Sequence, residues 1–361
     1  MLKFVDEYRD TDICLEMAEK IRRLAEKQVN IMEVCGGHTM SIRRNGIHKM
    51  VGDRVRLVSG PGCPVCVTPT PDIDKAIAIA ALPGVAVCTY GDMMYVPGSR
   101  TSLAGARTEG ADVRMVYSPQ DVIEFAGNEP GTEFVFLSIG FETTAPTAAA
   151  AIVEAQRKNI ANFSVMALNK TMPQALETVL SDDNCEIDGL LCPGHVSTIT
   201  GTGMYERIVE RTGVSCCVSG FEPADILRAI FSIVEMHEKG ERAVMNAYER
   251  VVRKEGNPRA RYIMSEVFDP CDSRWRGLGV ISRSGLAINE QYSNMDAEKR
   301  FYVEVPEQRE DPVCICGDIL RGAGEPGQCP LFGTICTPEN PKGACMVSSE
   351  GTCAAWYRYG G

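Results

Sequence analysis

Between about residue 30 and residue 220 the chain alternates short, unbroken apolar runs with stretches whose apolar positions recur at helical spacing. The runs fall at 31–34, 55–58, 85–88, 113–117, 134–139, 163–168, 189–192 and 214–218. Each is long enough for a strand buried on both faces and too short for a helix. Between them, 72–82, 119–126, 144–158 and 173–180 read as helices. Ahead of them 13–27 does so too, with Ile13, Met17, Ile21 and Leu24 on one face and Asp10 or Thr11 as caps. This alternation predicts α/β architecture, with parallel strands covered by helices on both sides. Two more helices are predicted at 222–239 and 241–254, divided at Gly240, and weaker strand patterns follow at 262–268 and 279–282.

The runs are too many for one compact sheet, and an internal echo suggests where to divide them. Cys35-Gly36-Gly37-His38 returns as Cys192-Pro193-Gly194-His195, and Gly140-Phe141-Glu142 returns as Gly220-Phe221-Glu222. Either the echo is chance, or an α/β unit is duplicated and two similar domains face each other across a cleft. The duplicated reading divides the chain at 1–120, holding the first two cysteine motifs, 121–255, and a C-terminal unit at 256–361. That last unit changes character beyond Pro312, where six cysteines lie among Gly and Pro with little apolar periodicity. Such a segment cannot build a large core, so an inorganic centre is expected to fix it.

Composition narrows the function. A net charge of -11 and the lack of any basic block argue against a sequence-independent hold on nucleic acid. The first dozen residues lack a signal-peptide layout. The longest apolar run, 76–88, is broken by Pro83-Gly84 and is too short to span a bilayer, so a cytoplasmic protein with no membrane partner is expected. Sixteen cysteines in that compartment point to metal or redox chemistry rather than to a disulfide framework.

The candidate chemistry begins at two motifs that follow adjacent runs, Cys35-Gly36-Gly37-His38-Thr39 and Gly60-Pro61-Gly62-Cys63-Pro64-Val65-Cys66. Both are predicted to leave neighbouring strands at one sheet edge, where open α/β folds bind ligands. Cys35 with His38 reads as a nucleophile with its base, as a ligand pair for a soft or borderline metal, or as a chance pairing. Cys63 and Cys66 form C-x-x-C, able to close a disulfide, carry two electrons or hold a metal, and two inert buried thiols are the plainer alternative. The proline-rich sequel places this pair on a rigid loop rather than on a helix's first turn, and Gly60-Pro61-Gly62 reads as exposed backbone. Glu142 follows a strand just before a helix and reads as an acid, a base or an anchor in the cleft. His195 reads equally as a site residue or as a cap or core histidine, while His48 and His237 read as surface or packing residues.

The terminal cysteines are spaced C-x-C-x12-C-x6-C-x8-C-x7-C, at 314, 316, 329, 336, 345 and 353. Four-cysteine ligation suits zinc or an iron-sulfur cluster. The tight paired knuckles of zinc sites are absent, and the wide spacing favours a [4Fe-4S] cubane, leaving two sulfurs over. No Walker loop or G-x-G-x-x-G element stands where a nucleotide site needs it.

Taken in order, C-G-G-H-T, G-P-G-C-P-V-C, G-F-E-T-T-A-P, C-P-G-H-V-S and the terminal C-P-L-F-G-T-I-C-T-P-E-N-P-K-G-A-C-M-V-S-S-E-G-T-C resemble the HypD family of hydrogenase maturation factors over nearly the whole chain. The resemblance implies a scaffold on which the Fe(CN)2CO unit of nickel-iron hydrogenases is assembled with a HypC-type chaperone, cyanide coming from a HypE-type donor. It also implies two α/β domains and a terminal domain with a [4Fe-4S] cluster. By motif, Cys35 is then the thiolate to the iron, His38 its neighbour, and Cys63 with Cys66 the redox-active pair. The cluster ligands are expected to be Cys329, Cys336, Cys345 and Cys353, with Cys314 and Cys316 as alternates or a spare pair. Two other classes remain open: a cluster-dependent disulfide reductase acting on protein thiols, and a binding protein whose metal centres are only structural.

Overall fold

The computed structural model describes residues 6–182, 185–305 and 312–360. Its strands are β1 (Val29–Glu33), β2 (Val55–Ser59), β3 (Val85–Thr89), β4 (Asp112–Met115), β5 (Glu133–Ser138), β6 (Phe163–Ala167), β7 (Gly189–Pro193), β8 (Ser215–Ser219), β9 (Val244–Asn246), β10 (Phe268–Trp275) and β11 (Gly279–Ile288). Every apolar run from 31 to 218 is a strand. They form two parallel sheets, one ordered β2-β1-β7-β8-β9 and the other β4-β3-β5-β6, with β10 and β11 as an antiparallel hairpin. The architecture is thus α/β with two parallel-sheet units and a loop-rich C-terminal region.

Both faces of each sheet are buried. On β7, Leu190 and Cys192 enter one apolar cluster while Leu191 enters the cluster on the opposite face. On β3, Val85 and Val87 face one way, Ala86 and Cys88 the other. Double burial makes the runs continuous rather than alternating. It also hides which sheet a run joins.

Sheet membership therefore departs from a division at residues 120 and 255. The chain builds β1 and β2, leaves to build all of the second sheet, and returns to complete the first with β7, β8 and β9. The Cys35 and Cys192 echoes consequently lie on adjacent strands of one sheet, Ile31 pairing with Gly189, rather than at matching places in two domains. Only the Gly-Phe-Glu echo falls on both sheets, after β5 and after β8. Much of the stretch from 258 to about 301 also belongs with the second sheet, since Val267, Phe268, Leu286, Ile288, Tyr292 and Met295 share a core with Phe134, Phe136 and Phe163, while Trp275 and Ile281 of the hairpin join a cluster of the first sheet.

Some local expectations change too. The segment 241–254 is not a helix: Gly240, at φ +69°, ends the helix Pro223–Lys239 and the chain enters β9. The segment 262–268 lies largely in the helix Pro258–Val267, started by Asn257, whose side chain accepts from the Ala260 amide, and by proline in the first turn. The first helix, Thr11–Leu24, buries Cys14, Ala18 and Ile21, leaving Ile13 44% exposed. Among the described residues no helix is long and apolar enough to cross a membrane.

Candidate functional site

The first sheet reverses its strand order between β1 and β7, and a crevice beyond the strand C-termini at such a point is where open α/β sheets bind ligands. The loop leaving β1 carries Cys35, and the loop leaving β7 carries His195. Cys35 is the N-cap of the helix Gly36–Arg44, where the amides of Gly37 and His38 face its sulfur. Those amides favour a thiolate, but burial outweighs them and, with the nearby Glu350 carboxyl, pushes the thiol up to about 12. Cys35 is 1% exposed, so it is enclosed rather than displayed in an open cleft.

Nδ1 of His195 lies 3.9 Å from Sγ of Cys35. His38, three residues from Cys35, is the more buried of the two imidazoles and turns elsewhere: its Nε2 meets the Gly220 carbonyl at 2.9 Å, and its Nδ1 is buried without a partner. Burial lowers both imidazoles to about 4, so both are neutral at pH 7. Each ring stacks on Phe221, His38 at 4.7 Å between centroids and His195 at 5.2 Å.

Cys63 and Cys66 are joined as a disulfide across one turn, their Cα atoms 5.2 Å apart. Contrary to the loop expectation, Cys63 caps a one-turn helix, Pro64–Val67, and its sulfur faces the Cys66 amide at 3.2 Å. Gly60-Pro61-Gly62 is buried, not exposed. The Gly36 amide donates to the Gly62 carbonyl at 3.1 Å and the Gly60 amide to the Glu33 carbonyl at 2.9 Å. Beneath both loops Glu33, 2% exposed, accepts from Thr39 Oγ1 and Ser59 Oγ, tying the Cys35 helix to the end of β2.

All six terminal cysteines, 314, 316, 329, 336, 345 and 353, line one small cavity with Ile319, Leu331, Phe332 and Met346. They share two apolar clusters, Cys314 and Cys353 lying against both. Cys316 and Cys345 stand with sulfurs 3.1 Å apart and share an apolar cluster with Cys63 and Cys66. Cys336 packs with Leu331 and Met346, against which Cys314, Cys329 and Cys353 also lie. Burial raises Cys314 to about 11 and raises Cys353 as well, with neighbouring thiols adding to both. The donor set is one that iron-sulfur clusters use, with sulfur the only ligating side chain lining the cavity. Among the described residues no three His, Cys, Asp or Glu side chains converge closely enough to hold a metal ion as they stand.

Glu142 sits at the matching edge of the second sheet, 5% exposed. Its Oε1 accepts from the Met172 amide at 3.0 Å, at the start of the helix Met172–Leu180, while Oε2 is buried without a partner. Burial pushes its carboxyl up to about 7. Neighbouring Phe141 stacks on Trp275 at 5.9 Å.

Comparison with known proteins gives the family. The family HypD, described as "Hydrogenase formation hypA family", matches residues 12–360. The chain belongs to the HypD family. It is similar to "Hydrogenase maturation factor HypD2" of Bradyrhizobium diazoefficiens at 46% identity, over 99% of this chain and 97% of that protein. It is 44% identical to "Hydrogenase maturation factor HypD" of Rhodobacter capsulatus, over 100% and 99% of the two chains, and 42% identical to that of Escherichia coli K12, over 99% and 98%.

Within this HypD-family chain, the structure groups Cys35 with His195 and brings Cys63 and Cys66 beside them, while His38 stands behind. It also adds Glu350, which no pattern announced. The turn at 348–351 covers the start of the Cys35 helix: a Cβ on Gly36 would collide with the Glu350 carbonyl, and Ser348 Oγ donates to Asp92 Oδ2 at 2.9 Å. His195 and Phe221 were legible only as parts of the echo, and their place beside Cys35 depends on strand order.

Proposed function

We propose that the chain is a scaffold for assembly of the Fe(CN)2CO centre of nickel-iron hydrogenases, carrying the iron as cargo on the Cys35 thiolate. The observation that supports this most is a lone thiol at a helix N-terminus and sheet switch point, with a neutral imidazole 3.9 Å away. A polarizable sulfur suits low-spin iron with strong-field ligands. Burial holds the thiol protonated, and a soft cation brought to the sulfur offsets that cost. Nδ1 of His195 is the basic atom placed to take the proton. One scaffold thiolate leaves positions for a second thiolate from a HypC-type chaperone and for cyanide from a HypE-type donor. Because Cys35 is enclosed, these partners reach it when the turn at Glu350 draws back.

In this reading four of the six terminal cysteines, Cys329, Cys336, Cys345 and Cys353 with Cys314 and Cys316 as alternates, would hold a [4Fe-4S] cluster, which when bound supplies single electrons. Cys63 and Cys66 store two electrons as a dithiol and release them on closing the disulfide, each sulfur losing a proton. Their shared apolar cluster with Cys316 and Cys345 supports a redox role beside Cys35. The reducing cytoplasm suits every group involved.

Infrared spectroscopy of the protein purified without air, together with its chaperone, tests the proposal. The wild type is expected to show cyanide and carbonyl stretches, and Cys35→Ser to lose them, because a hydroxyl is a harder and far less acidic ligand. Bands at wild-type intensity in Cys35→Ser overturn the assignment. An infrared-silent wild type that reduces protein thiols independently of Cys35 is the result a disulfide reductase gives.

A further inference from the structure

Phe221 belongs to the Gly-Phe-Glu echo, yet its copy has diverged in what it touches. Phe141 stacks on Trp275, with ring planes 21° apart. Phe221 stacks on two imidazoles, with planes 26° from His38 and 29° from His195. It is also anchored to the element that carries Cys35. Its carbonyl accepts from Ser41 Oγ at 2.8 Å, the preceding Gly220 carbonyl meets His38 Nε2, and a Cβ on Gly37 would stand 3.3 Å from its ring. Ring, thiol and both imidazoles thus pack as one group at the start of the helix Gly36–Arg44.

His195 needs such support. Among the described residues, the polar contact of its ring is the one to Cys35 Sγ. Rotation of an imidazole about its last torsion is broad, so that one long contact alone does not fix the plane of the ring. An aromatic face against the ring does, since stacking of ordinary strength favours the stacked plane over a turned one by up to about tenfold, and within that plane the sulfur selects the edge it meets.

We propose that Phe221 is the positioning residue of the Cys35 site, its ring being the surface that holds the His195 imidazole in the plane whose edge meets the Cys35 sulfur. The consequence for iron rests on the reading of Cys35 as the cargo thiolate; the geometric statement does not. Phe221→Tyr keeps the aromatic face, whereas Phe221→Leu keeps much of the volume and removes it.

The test uses full-length chain without iron, labelled at histidine and cysteine; with four histidines in the chain the ring signals are assignable. The nuclear Overhauser contact between the His195 ring and the Cys35 side chain is expected in the wild type and in Phe221→Tyr, and is expected to vanish in Phe221→Leu while thermal unfolding stays cooperative. Persistence of the contact in Phe221→Leu, or its absence from the wild type, overturns the proposal. Should Phe221→Leu fail to fold, Phe221→Tyr still decides: loss of the contact there, with the fold intact, overturns it, and retention supports it. In protein purified with its chaperone, Phe221→Leu is further expected to shift or split the cyanide bands. If those bands are missing from the wild type while the iron-free contacts behave as stated, the scaffold reading fails and the positioning role stands.

Discussion

Gly62 lies so close to Cys35 that a Cβ on it would stand 2.2 Å from the Cys35 nitrogen and 2.4 Å from its Cα, far inside van der Waals contact. With the Gly36 amide bonded to the Gly62 carbonyl, the loop that ends in the disulfide and the loop that ends in the lone thiol form one packed unit. Any change at Cys63 and Cys66 is therefore felt one residue away from the backbone of Cys35.

Gly62→Ala is expected to destabilise the protein by about 1–3 kcal/mol, the usual cost of forcing atoms into a filled space. It should also lower iron retention at Cys35, because relief requires the two loops to part. Gly203, at the start of the helix Gly203–Thr212, has open space where its Cβ would stand and is the control. Gly203→Ala is expected to stay within about 0.5 kcal/mol of the wild type. Chemical unfolding of the three proteins checks this, and equal stabilities would show that the close approach is not a constraint.

At the other end of the site, Cys336 Sγ accepts from the Lys342 amide at 3.4 Å and packs with Leu331 and Met346 in a small cluster of its own. Protein purified without air is expected to be brown, with about four irons per chain from a cubane. Cys336→Ser should remove most of that iron and its visible absorption. Circular dichroism should change little, since Cys336 itself lies in a small cluster outside those built on the two sheets. A colourless wild type holding one zinc would end the cluster reading.

The strands were legible because each was a bounded run of β-branched and aliphatic residues, and double burial left no competing pattern. The same double burial is why sheet membership was not: the run at 189–192 carries nothing to say that it returns beside the run at 31–34. Chemistry local in sequence could be read directly, as with Cys63 and Cys66 or the spaced terminal cysteines. Chemistry made by strand order could not. His195 stands 160 residues from Cys35 in the chain, and only the β1–β7 pairing joins them. Glu142 stood out in the sequence by following a strand just before a helix, but its burial, the helix start that holds it and its partnerless oxygen are tertiary facts.

That carboxyl leads to a pH dependence with a definite sign. Glu142 is held up to about 7 by burial, against an ordinary value of 4.5. Between these values the folded chain binds a proton that the unfolded chain has lost. The associated stability is therefore fully present below about pH 4.5 and disappears as pH rises through about 7. The raised value corresponds to roughly 3 kcal/mol, at 1.36 kcal/mol per unit. Glu142→Gln retains an oxygen for the Met172 amide and cannot ionise, so it is expected to lose this component. Unfolding midpoints at pH 5 and pH 8 should then lie closer together in the variant than in the wild type, with the variant gaining chiefly at pH 8. Circular dichroism melts on the reduced protein measure both, and an unchanged gap would mean that the unpartnered Oε2 is not where the charge is penalised.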